Sequence, residues 1–135
     1  MSYATVLAAL NVRLSTVAGL NAVLDYVPTS VHEPPILYSR LERATITRSG
    51  QLRVTTYRIL HRVVIRWQDN EQAEVEASPF VNSIPLAVEA DPWLGGALTG
   101  GYAEIRECES GFAEIGGDIT YRVLDFYSTV VEKNI

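Results

Sequence analysis

Two histidines, His32 and His61, and one cysteine, Cys108, are the side chains best suited to binding a metal or attacking a substrate. A zinc site draws on about four ligands at tight spacing. These three residues are too few and too scattered to supply one. For Cys108 to act as a nucleophile a histidine must take its proton, yet no activating motif surrounds the thiol. His61 falls on the apolar side of its strand, the position of a hydrogen-bonded core residue. Sixteen acids make chance carboxylate pairs unavoidable, so none stands out as the acid and base of a glycosidase. The glycine pairs in DPWLGGALTGG, residues 91–101, lack the lysine that follows a P-loop and the strand that leads into one. They read as a turn in which glycine supplies positive φ, with Trp93 and Leu94 anchoring it to the core. No catalytic residue, metal or cofactor is motivated, and the chain reads as a non-enzyme.

The elements that hold these residues follow from periodicity. Ser2 is placed to cap a helix over about residues 3–17, because Val6, Leu7, Leu10, Leu14 and Val17 form one apolar stripe and Gly19 ends it. LNAVLDYVP suggests a short strand stopped by Pro28, and Pro34 and Pro35 hold the chain extended into a second strand. A loop around Thr47, Arg48, Ser49 and Gly50 follows. In QLRVTTYRILHRVVIRWQ, Tyr57, Ile59, His61, Val63, Ile65 and Trp67 take one face, and Arg58, Leu60, Arg62, Val64 and Arg66 the other. At a rise of roughly 3.3 Å per residue the three arginines lie about 13 Å apart, a stripe rather than a pocket.

Asp69 or Asn70 caps a second helical region, NEQAEVEASPFVNSIPLAVEAD, in which Pro79 and Pro85 predict a bend or two short helices. YAEIRECE and DITYRVLDFYSTVVEK complete the strands, with Ser110, Gly111, Gly116 and Gly117 turning between them. The fold class is α+β: a mixed, mainly antiparallel sheet with an N-terminal helix and a bent second helical region packed on it.

Length and charge narrow the function. A chain of 135 residues, 47% hydrophobic, builds one core, so residues 1–135 form a single domain. A net charge of -5 argues against wrapping duplex DNA. One cysteine, no leader and no apolar run of about 20 residues point to a soluble protein of cytoplasmic origin. The charge is polarised. Residues 36–68 carry seven arginines against Glu42 alone, whereas residues 69–118 carry eleven acids against Arg106 alone. Such blocks suit solvated edges or head-to-tail contact between identical copies. Ten of the eleven basic residues are arginine, which favours paired contacts.

The order of these elements, with VP followed by PP in DYVPTSVHEPP, the helix AEVEASPFVNSIPLAVEADPWLGG and the strand entry EIGGDITYRVLDF, resembles the tail terminator proteins of tailed bacteriophages over almost the whole chain. Head-tail joining and neck ring proteins are similar. The resemblance implies a virion protein, assembled in the host cytoplasm, that closes as a ring, usually a hexamer, on the finished tail tube. That ring halts polymerisation and offers a docking surface to a head-completion or neck protein.

On that reading the subunit interface sets Arg58, Arg62 and Arg66 against Glu71, Glu74 and Glu76 of the neighbour. The loop containing Arg43, Arg48, Ser49, Gly50 and Arg53 contacts the tube or neck. Glu104, Glu107 and Glu109 line a channel through which DNA passes without specific binding. Two alternatives stay open: another neck component, or a cytoplasmic module that binds an acidic ligand through the arginine stripe.

Overall fold

The computed structural model describes residues 3–96, 98, 100–117 and 119–134. Two helices and five strands follow in the order α1 (Tyr3–Leu14), β1 (Ala22–Leu24), β2 (Ile36–Ser49), β3 (Leu52–Ile65), α2 (Asn70–Glu89), β4 (Tyr102–Glu114) and β5 (Thr120–Asn134). The strands form one sheet in the order β1-β2-β3-β5-β4. Among the described residues only the β1–β2 pairing is parallel. The fold is α+β, with both helices on one face of the sheet.

The apolar stripe of α1 seats it there. Val6, Leu7, Leu10 and Leu14 are buried, and Val17 joins them from the turn after the helix. The expected cap Ser2 lies outside the described residues. Arg13, in the last turn, donates from Nε to the Ala87 carbonyl at 3.0 Å and so ties α1 to the C-terminal end of α2, where a cation is favoured.

Asp69 caps α2 by accepting the Gln72 amide at 2.8 Å. Pro79 and Pro85 both lie inside this one helix rather than splitting it. The carbonyls they leave without amide donors belong to Val75 and Val81, which are exposed, so water can serve them. The opposite face, with Ala73, Ala77, Phe80, Ile84, Ala87 and Val88, meets the sheet.

The main core lies between the helices and Leu37, Tyr57, Ile59, Val63, Ile65, Leu124, Phe126 and Val130. A smaller one, Ile36, Tyr38, Val64, Ile115, Tyr121 and Val123, closes one end of the other face. Val31, from the segment between β1 and β2, packs on it.

Three expectations are corrected. The polar stretch 43–53 is not a loop: β2 and β3 run to Ser49 and Leu52 and need only Gly50 and Gln51 between them, with φ of +61° at Gly50. Ser110 and Gly111 lie within β4 and do not turn the chain. In the 91–101 segment Leu94 is the buried anchor, whereas Trp93 is 60% exposed, because the turn points Leu94 at the core.

The glycines do turn the corner. A Cβ on Gly101 would overlap the Val131 carbonyl, so only glycine brings the chain this close to β5. The Gly95 amide donates to Asp91 Oδ2 at 2.6 Å, and those of Gly96 and Leu98 to the Trp93 carbonyl. These groups hold the turn and are not directed at a ligand.

Candidate functional site

The sheet has a helix-covered face and an open face, and alternation along β3 assigns neighbouring residues to each. His61 points into the core, fully buried. Its Nδ1 lies 2.6 Å from Ser39 Oγ and its Nε2 2.8 Å from Ser128 Oγ, so it links β2, β3 and β5. Burial pushes its pKa down to about 3 and keeps it neutral. This is the core histidine expected of the strand pattern.

Cys108 occupies the same cross-strand row, with Phe126 between them. Burial, then Asp125 and Glu109, raise the thiol's pKa, the reverse of what activates a cysteine. His32 sits in the β1–β2 connection, 3.2 Å from Ser30 Oγ. Among the described residues no group of three or more His, Cys, Asp or Glu gathers as a metal site, and no helix is long and apolar enough to cross a membrane.

The open face carries the charges. Arg62 holds Asp125 with both ends of its guanidinium, Nε to Oδ1 at 2.7 Å and Nη2 to Oδ2 at 3.0 Å, and Nη1 donates to Tyr38 Oη at 3.1 Å. The bonds to Asp125 outweigh burial and raise the already high pKa of Arg62. Arg58 donates from Nε to Glu42 and from Nη1 to Glu107, each at 3.1 Å, with its guanidinium 4.3 Å above the Tyr127 ring.

The residues of the expected interface lie on both sides of the sheet. The stripe has two members, since β3 ends at Ile65 and Arg66 lies beyond it. Arg58 and Arg62 are engaged by acids of their own chain. The acids Glu71, Glu74 and Glu76 belong to α2, on the other side of the sheet. Glu74 accepts from Arg122 Nη2 at 2.7 Å, Glu76 accepts from Gln72 Nε2 at 3.1 Å, and Glu71 supports the first turn of α2.

The polarity reappears between the two outer strands. Each contains one bulge, at Glu42 in β2 and at Arg106 in β4. Because one extra residue reverses the alternation, Arg40 and Arg43 both reach the open face of β2, and Glu104, Glu107 and Glu109 all reach the open face of β4. Three rows cross the sheet there: Tyr38–Arg62–Asp125–Glu109, Arg40–Leu60–Tyr127–Glu107 and Arg43–Arg58–Thr129–Glu104. Glu104 also pairs with Arg106 at 2.7 Å. The basic end is β2 and the acidic end β4.

Both ends are open edges. β1 covers β2 only at Ile36, Leu37 and Tyr38, so residues 39–49 have no outer partner among the described residues, and β4 has none along its length. All of residues 40–50 are exposed. Arg43 and Arg48 lie along this free strand, Ser49 and Gly50 at its tip, and Arg53 opposite Arg48 on β3. Arg40, Glu42 and Arg106 complete the surface and were missed by sequence reasoning. Their only signal was two interruptions of strand alternation. No protein-family model and no curated protein sequence matches the chain.

Proposed function

We propose that the protein is a structural, non-enzymatic subunit that joins copies of itself head to tail into a ring, and that this ring caps a bacteriophage tail tube. It ends tube polymerisation and presents a docking surface to the head or neck. One observation carries the reading: a single sheet ends in two uncovered edges of opposite charge, a basic β2 and an acidic β4. Edges of unlike charge suit a heterologous contact, which closes a ring when the rotation per copy divides a full turn. The resemblance of the element order to tail terminators supplies the virion setting.

A module that captures an acidic ligand through the stripe would need Arg58 and Arg62 free, yet both are already held by Glu42, Glu107 and Asp125, which favours the ring. With the open face toward the axis, Glu109, and Glu104 and Glu107 where a neighbour does not claim them, turn carboxylates toward the channel and repel the phosphates of passing DNA. The hairpin tip at Arg48, Ser49 and Gly50 reaches the tube or the neck protein.

Negative-stain imaging and sedimentation of the purified chain, alone and mixed with tail tube, test this. Rings seated on tube ends are expected. A chain that stays monomeric at every concentration, with tube present, or that turns over a substrate, overturns the proposal.

A further inference from the structure

We infer that neighbouring copies join by main-chain pairing of β4 with β2 of the next copy, in one register, so that the sheet continues across the seam. The inference rests on the ring reading for the association of copies and adds which backbone edges meet and how they align.

Direction allows it. The β2–β3, β3–β5 and β5–β4 pairings are all antiparallel, so β2 and β4 run in opposite directions. A copy brought alongside by rotation about an axis along the strands presents β2 antiparallel to β4, with outward amides and carbonyls facing one another.

Charge selects the partner. Two β2 edges would set arginine against arginine and two β4 edges glutamate against glutamate, and like charges directly opposite oppose pairing. Only the unlike pair is attractive, which makes the contact heterologous and directional. Arg40 and Arg43 have no ion pair among the described residues and lie exposed on the free strand. Glu107 spends only Oε1 on Arg58.

Register follows from the rows. A pure rotation adds no shift along the strands, so the rows that β1 leaves open, from Arg40 to Thr45, run straight on into the neighbour, and β4 beyond Glu107 turns aside from β1 of the next copy. The Leu60–Tyr127 row then brings Glu107 opposite Arg40, and the Arg58–Thr129 row brings Glu104 opposite Arg43. Between them, on the helix side, Ile105 meets Leu41, an exposed apolar residue for an edge strand. Ala103 meets Ala44, and Tyr102 meets Thr45. The bulge residues Arg106 and Glu42, again of opposite charge, fall in adjacent gaps between rows, so neither interrupts the alignment. The seam ends where β1 covers Tyr38. Glu104 and Glu107 thus serve the seam, which leaves Glu109 to the channel wall.

Two measurements on the full chain test this. In a Cys108→Ser background, Thr45→Cys combined with Tyr102→Cys should give a ladder of disulfide-linked oligomers on non-reducing gels, whereas Thr47→Cys with Tyr102→Cys should not. Separately, R40E/R43E and E104R/E107R proteins should each stay monomeric where the wild type assembles, and an equimolar mixture should regain the ring. Rings that persist in R40E/R43E, or that link only through the shifted pair, overturn the seam and leave the ring reading intact. A wild-type chain that never assembles and gives no ladder overturns both.

Discussion

His61 and Arg62 are adjacent on β3 and are treated in opposite ways. His61 faces the helices, is fully buried, and is kept neutral between two serine hydroxyls. Arg62 faces the open side and is kept charged by Asp125. One residue of strand alternation separates a surface closed by apolar packing from one closed by ion pairs. The covered face resists anything that brings charge or empty space into it. The open face tolerates change, and its charges are available for recognition once their local partners are counted.

The largest effect should come from emptying the covered face. Phe126 is fully buried in the main core, and Phe126→Ala should cost about 3–5 kcal/mol, read as a lower denaturant midpoint. A change of that size takes much of a domain's net stability of roughly 5–15 kcal/mol.

Removing a charge partner from the open face should cost less. Asp125→Ala leaves the partly buried Arg62 guanidinium without its two-pronged acceptor and should destabilise by about 1.5–3 kcal/mol. Asp125→Asn, which keeps one acceptor oxygen, should recover part of that loss.

Acid probes the covered face from the other direction. His61 binds a proton at its ordinary pKa near 6.5 when unfolded but only at about 3 when folded. Between these values the unfolded state holds more protons, so stability falls as pH falls. The expected slope is about 1.4 kcal/mol per pH unit, or about 2 kcal/mol lost by pH 5. His61→Gln should flatten the stability profile between pH 6.5 and 5. An unchanged slope in that variant would show that His61 is not the group responsible.

Where periodicity is unbroken, the sequence announces the structure. The α1 stripe, the β3 alternation that buries His61, and the Asp69 cap were all legible because each depends on spacing within one element. Polarity misled at 43–53, since an edge strand exposed on both faces has the composition of a loop. The bulges at Glu42 and Arg106 could not be placed, for a different reason. A single inserted residue is defined by the strand opposite it, and the pairs that flank these bulges join residues 15 to 23 apart, which local pattern cannot reveal. Hence the acids of β4 were legible as a cluster, but their common face, and their placement across the sheet from Arg40 and Arg43, were not.

The smallest stability effect should separate folding from recognition on the open face. Glu107 is about half exposed and accepts one bond from Arg58 at 3.1 Å. Glu107→Ala should therefore change the stability of the isolated subunit by about 0–1 kcal/mol, less at high salt, because water and ions already screen the pair. If the same carboxylate also meets a neighbour, the variant should weaken assembly more than folding, and added salt should bring wild-type assembly down toward that of the variant. Comparing denaturation midpoints with sedimentation across a salt series reads the two effects separately. Equal losses in both would mean that Glu107 serves the fold alone. A loss confined to assembly would mean that the open face spends its local ion pairs holding arginines and glutamates in position for the next copy.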